Sequence, residues 1–105
     1  MIHLAEPNLT GNERKYLNEC IDTTFVSSVG AFVTRFEEDV VKVTEADFGT
    51  AVSSGTAGLH MALKAVGVEK DELVCIPSFT FIATANAVMH CGAQPWLIDI
   101  AKDSW

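Results

Sequence analysis

Basic residues are scarce in this chain. Seven Lys and Arg stand against 14 Asp and Glu, a formal charge of −7 over 105 residues. With no Lys/Arg run anywhere, the pattern argues against a nucleic-acid or anionic-membrane surface. Cysteine is scarcer still. Cys20, Cys75 and Cys91 are odd in number and show no C-x-x-C spacing, which argues against a disulfide framework or a zinc site and for a reducing cytosol. His90 and Cys91 are adjacent, a spacing that suits neither one helix face nor a ligand pair, so both read as packing residues. No apolar run approaches membrane-spanning length. The opening "MIHLAEPNLTGNERK" lacks a basic segment followed by an apolar one, so no signal peptide is expected. The string "KDEL" at 70–73 is internal, whereas the retention signal is read at a C-terminus. Internal repeats, low-complexity tracts and Pro/Gly/Ser linkers are also lacking.

What is present is a packed globular composition, 49% hydrophobic and 20% charged, with length for one modest core. Thr10-Gly11-Asn12-Glu13 has the form of a capping box, predicting a helix that starts there with Tyr16, Leu17, Cys20 and Ile21 as its apolar stripe. From about Phe32 a second helix carries Phe32, Val33, Phe36, Val40 and Val41 on one face, with Arg35, Glu37, Glu38 and Lys42 outside. The character then changes. Residues 50–53 read as a short strand, followed by a helix with Leu59, Ala62, Leu63 and Val66 on its apolar face and Gly67 as its stop. Residues 73–76 read as a buried strand ended by Pro77, 80–90 as a helix ended by Gly92, and 96–100 as a third strand with Pro95 at its start. Two helices followed by β-α-β-α-β predict an α/β fold with a parallel sheet wrapped by helices. A further covering helix is expected beyond the last strand.

Ligands of open α/β sheets gather at the carboxyl ends of the strands, and two loops qualify. In Ser54-Gly55-Thr56-Ala57-Gly58 the glycine permits a tight turn, Thr56 offers a hydroxyl, and the amides of Thr56 and Ala57 open a helix. Donors and helix dipole together make a phosphate seat that needs no lysine. The competing reading is an ordinary strand-to-helix turn capped by Ser54 or Thr56. The stretch is neither G-x-G-x-x-G nor a Walker loop. The second loop, "PSFTFIATANA" at 77–87, brings Phe79 and Phe81 to a strand end, where a ring can stack on a planar heterocycle or fill the core. Thr84 and Asn86 read as solvent-facing or locally bonded.

A phosphate seat beside a stacking ring resembles the pyridoxal-phosphate sugar aminotransferases of the DegT/StrS group. The likeness covers the chain through "EPNLTGNE", "FVSSVGAFVTRFEE", "SSGTAGLHMAL" and "IPSFTFIATANAVMHCGAQPWLIDI", the last two being the most specific. It is nearest to members that aminate UDP- or GDP-linked 4-keto-6-deoxyhexoses. The resemblance implies the incomplete large domain of a fold-type-I enzyme at 49–105, preceded by an N-terminal helical arm at 1–48. It implies pyridoxal 5'-phosphate as cofactor, with Gly55, Thr56 and Ala57 at the phosphate and Phe81 stacked on the pyridine face. Ser27, Ser28 and Gly30 match a loop at the mouth of the family's active site and are assigned to substrate. His60 reads as packing and Asp99 as structural.

The family's Schiff-base lysine and the acidic partner of the pyridinium lie downstream of the matching region. Lys15, Lys42, Lys64, Lys70 and Lys102 fit neither place. The resemblance therefore implies the N-terminal part of a cytoplasmic, homodimeric enzyme. That enzyme would move an amino group, from glutamate, to a nucleotide-linked keto sugar, and this segment alone would be inactive. A sugar 3-dehydratase of the same family, with histidine in place of the lysine, is one alternative. A non-catalytic α/β module that binds a phosphorylated small molecule is the other.

Overall fold

The computed structural model describes residues 5–27 and 29–104. They form α1 (Glu13–Asp22), α2 (Ala31–Thr44), α3 (Gly55–Ala65), β1 (Leu73–Pro77), α4 (Ile82–His90) and β2 (Gln94–Ile98). The chain divides into two compact units, Met1–Ala51 and Val52–Trp105.

In the first unit the expected helix forms, but not through a capping box. Asn12 is the N-cap and makes no side-chain bond, while the amide and hydroxyl of Thr10 both donate to Asn8 Oδ1 at 3.2 and 2.8 Å. The local Asx turn wins because Asn8 offers an acceptor two residues away, before any helix needs nucleating. α1 and α2 meet through Tyr16 and Phe32, whose ring centroids lie 5.1 Å apart, with the Arg35 guanidinium 5.4 Å from the Tyr16 ring centre. Arg35 and Lys42 flank Asp39 on one side of α2, each 3.6 Å away.

The inward face of α2 is not the one periodicity chose. Phe32, Val33, Glu37 and Val41 are half-buried, whereas Phe36 and Val40 are exposed. Glu37, expected outside, accepts the N–H of Ala51 at 2.7 Å. The chain returning from α2 runs along the helix at this level. A Cβ on Gly49 would stand 3.0 Å from Val41 Cγ2 and 3.3 Å from the Glu37 carbonyl oxygen.

The second unit is a β-α-β motif with a helix before it. β1 and β2 pair in parallel, from Leu73 opposite Gln94 to Pro77 opposite Ile98. Their crossover, α4, supplies the centre of the core: Ala87 and Val88 are buried with Ile76, Cys91 and Ala93, and Leu63, Val68, Val74 and Ala85 pack around them. Both expected helix stops hold, because Gly67 and Gly92 have φ of 87° and 78°, the left-handed region where a Cβ is strained. Cys91 is a packing residue as expected, but His90 is exposed, its ring 5.6 Å from that of half-buried His60.

Three boundaries move. Residues 50–53 form no strand, since no partner strand pairs with them among the described residues and Ala51 donates to a helix side chain instead. α4 begins at Ile82 rather than 80, because Phe81 is extended (φ −70°, ψ 143°) and the Thr80 and Thr84 hydroxyls pair at 2.9 Å. β2 spans 94–98 rather than 96–100: Gln94 N–H already donates to the Glu72 carbonyl, and Asp99 turns the chain out of the ladder. Pro95 is accordingly the second residue of β2, opposite Val74. Among the described residues no helix is long and apolar enough to cross a membrane.

Candidate functional site

The α3 N-terminus is built by Ser54. Its backbone is extended (φ −164°, ψ 161°), and its hydroxyl accepts the N–H of Ala57 at 3.2 Å. Gly58 N–H continues inward to the Ser54 carbonyl at 3.0 Å, so the helical ladder starts there. The two amides between cap and ladder, Gly55 and Thr56, have no protein acceptor among the described residues, and neither does the Thr56 hydroxyl bond to protein. A Cβ built on Gly55 meets no atom within 4 Å. The helix thus presents two amides, a hydroxyl and a bare Cα, with the positive end of its dipole behind them.

Thr56 and Ala57 share a shallow recess with Ser54, His60 and His90. His60 and His90 line it from α3 and α4; the sequence reading treated both only as packing residues. Phe81 is not part of that lining. It is the N-cap residue of α4, in the connection that follows β1, and is 79% exposed. Phe79 is also exposed, so neither ring is core within the described chain.

The carboxyl ends of β1 and β2 form a second feature. Ser78 N–H extends the ladder to the Ile98 carbonyl at 2.7 Å, and the Ser78 hydroxyl donates to Asp99 Oδ1 at 3.3 Å. The same carboxylate oxygen accepts the N–H of Ile100 at 2.9 Å. Ser78, Phe79, Asp99, Ile100, Ala101 and Lys102 line a cavity above the strand ends. The role of Asp99 as a junction was readable only as "structural"; the useful signal was that Ser78 and Asp99 each follow directly on a strand end.

Of the residues assigned to substrate, Ser28 lies outside the described residues. Ser27 bonds locally, its hydroxyl 3.4 Å from both the carbonyl and the amide of Val29. Gly30 is the N-cap of α2, with extended backbone and the Phe25 ring against it. Both belong to the first unit, and Gly55, Thr56, Ala57 and Phe81 to the second. Lys64 reaches the carbonyls of Val68, just after α3, and of Cys91, the C-cap of α4, at 3.4 and 3.5 Å, so it serves the C-terminal ends of these helices rather than the α3 N-terminus.

A parallel β-α-β unit, preceded by a helix with unpaired amides at its N-terminus and with an exposed aromatic after β1, defines an α/β protein with a parallel sheet and helices. The profile of the DegT/DnrJ/EryC1/StrS aminotransferase family matches residues 7–105, and the chain belongs to that family. It is 43% identical over 104 residues to GDP-perosamine synthase of Vibrio cholerae, covering 99% of this chain and 28% of that protein. It is 46% identical to the Caulobacter vibrioides GDP-perosamine synthase, covering 93% of this chain and 26% of the relative. Among solved structures, NtdA of Bacillus subtilis with bound cofactor PMP is 29% identical, with a TM-score of 0.75 over 84% of this chain and 21% of NtdA. The chain thus spans about a quarter of the length of the curated relatives it matches. The architecture is that of a partial fold-type-I domain, a parallel sheet with helices.

Proposed function

We propose that this chain is the cofactor-phosphate segment of a pyridoxal-phosphate-dependent sugar aminotransferase. The parent enzyme transfers an amino group from an amino acid, glutamate, to the keto carbon of a nucleotide-linked sugar. The observation that carries the reading is the glycine at the start of α3. Neither packing nor backbone conformation demands it, since its Cβ would meet nothing and its φ is not left-handed. Open space over two unpaired amides is what a phosphate oxygen requires, because a side chain there would block close approach.

The residues present fit the cofactor. The amides of Gly55 and Thr56 and the Thr56 hydroxyl would hold its phosphate, and Ala57 would pack beside it, its own N–H already engaged by Ser54. The exposed ring of Phe81 would lie against the pyridine and shield it from water. When bound, the cofactor supplies an electron sink for bond cleavage at the amino-acid carbon. Ser27, Ser28 and Gly30 would contact the sugar substrate, and a homodimer in the cytoplasm would complete the site. The relatives' product names favour a GDP-linked sugar.

The test is an amino-transfer assay on the full-length gene product carrying this segment, with glutamate and GDP- or UDP-linked 4-keto-6-deoxyhexoses. Formation of the GDP-linked amino sugar, abolished by cofactor removal and restored on adding pyridoxal phosphate, is expected. A keto sugar that loses its 3-hydroxyl without gaining nitrogen would assign the dehydratase reaction instead.

A further inference from the structure

We propose that His60, with His90 against it, takes up a proton when the cofactor phosphate binds at the start of α3. The inference rests on the reading that the Gly55 and Thr56 amides hold that phosphate. His60 stands one turn after Thr56, at i+4, so the two share a face of the helix. Helical side chains lean toward the N-terminus of their own helix, which carries the His60 ring back over the Thr56 turn. The recess reflects this, since Ser54, Thr56, Ala57, His60 and His90 line it together. His90 comes from the last turn of α4. The packing of α3 against α4 sets its ring 5.6 Å from that of His60, tilted by 43°. This arrangement lies wholly within the second unit.

Imidazole is the side chain whose charge changes near neutral pH. A charge on His60 faces the positive end of the α3 dipole, and a phosphate dianion bound there turns that repulsion into attraction. Two rings at this separation carry one such charge more readily than two, because like charges repel. The surrounding groups leave this coupling in place. Lys64 is the other titratable group of α3, and its ammonium is drawn to the Val68 and Cys91 carbonyls. α4 contributes His90, with buried Cys91 directly after it; of the strands packed on α4, β1 contributes Cys75 and β2 none. Among the described residues no carboxylate lines the recess. Because the proton comes from solution, phosphate affinity falls as pH rises through the imidazole range.

The experiment titrates the cofactor-free full-length enzyme with pyridoxamine phosphate and with pyridoxamine, which lacks the phosphate. Calorimetry in buffers of different ionisation heat counts the protons taken up with each. At about pH 7.5 the free phosphate is already almost fully ionised, so an uptake that pyridoxamine does not share belongs to the protein. That excess is expected in the native protein, and this measurement stands even if a variant fails to fold. His60→Gln should remove most of the excess, and His60→Gln with His90→Gln all of it. Between about pH 6.5 and 8.5 the native protein should lose about 3- to 10-fold more affinity for pyridoxamine phosphate than the double variant, the scale of one charge near a helix terminus. Equal uptake with both ligands, or an excess that survives the double substitution, would overturn the proposal. So would a lowered melting temperature with unchanged uptake, which would make the pair a packing contact. Each of these results leaves the phosphate seat itself standing. If Gly55→Ala leaves the affinity for pyridoxamine phosphate undiminished, the seat reading fails, and the histidine proposal fails with it.

Discussion

The Ser54 hydroxyl oxygen accepts the N–H of Ala57 at 3.2 Å across the first turn of α3. This bond divides the labour at the helix start: Ser54 satisfies the third amide, and Gly55 and Thr56 keep the donors that face outward. Ser54→Ala should cost about 1 kcal/mol of stability, the usual worth of an N-cap side chain. Ser54→Asp should keep the cap yet weaken cofactor binding, because it sets a carboxylate beside the phosphate. Chemical denaturation and a cofactor titration on the two variants separate cap from seat.

Gly55→Ala separates packing from ligand approach. Beyond its chain neighbours and its own helix backbone, no atom of the described residues lies within 4 Å of the added methyl, and alanine is the better helix former, so stability should hold or rise slightly. Affinity for pyridoxal phosphate should nevertheless fall by about tenfold or more, the scale of one obstructed charge-assisted hydrogen bond. Undiminished affinity would remove the phosphate from this helix.

Phe81→Ala should leave the melting temperature nearly unchanged, since the residue is 79% exposed in this chain. Cofactor release should quicken by about 2- to 12-fold, from a stacking contribution of roughly 0.5–1.5 kcal/mol. Stopped-flow or dialysis kinetics on the full-length protein measure this directly. A large drop in melting temperature with normal release would make Phe81 a packing residue.

Glu37 offers a test confined to the first unit. Its carboxylate accepts the Ala51 N–H at 2.7 Å from the face of α2 that was expected to be solvated. Glu37→Ala should destabilise by about 1–2 kcal/mol, whereas Glu37→Gln, which retains an acceptor, should recover much of it. Faster amide hydrogen exchange at Ala51 in the first variant, and not in the second, is the expected readout.

The 105-residue chain by itself should show no amino-transfer activity and form no stable covalent adduct with pyridoxal phosphate. Lys64 is committed to the carbonyls of Val68 and Cys91, and among the described residues no lysine lines the recess at Thr56. Apolar side chains of the strands, Leu73, Trp96, Leu97 and Ile98, are also exposed, which should make the chain prone to associate. Borohydride reduction followed by peptide mapping provides the check. Scattered partial labelling is expected, and a single lysine labelled stoichiometrically would refute it.

Much of the second unit was written locally. Gly67 and Gly92 end their helices because left-handed backbone favours glycine whatever surrounds it, and the parallel pairing of β1 with β2 follows from a strand–helix–strand order too long for a hairpin. The glycine and hydroxyl residues at 54–58 likewise announced a helix start with donors to spare, and two specific stretches carried the family. Properties that depend on a distant partner could not be read this way. Residues 50–53 have the composition of a strand, but a strand exists only through a ladder, and here the backbone of Ala51 finds a carboxylate 14 residues back. Periodicity set Glu37 outside because it scores hydrophobicity, while the inward side of α2 is decided by what lies against it. Asp99 shows the same limit: its chemistry was visible, but that it meets Ser78, 21 residues away, depends on the register of β1 against β2, which only the folded chain determines.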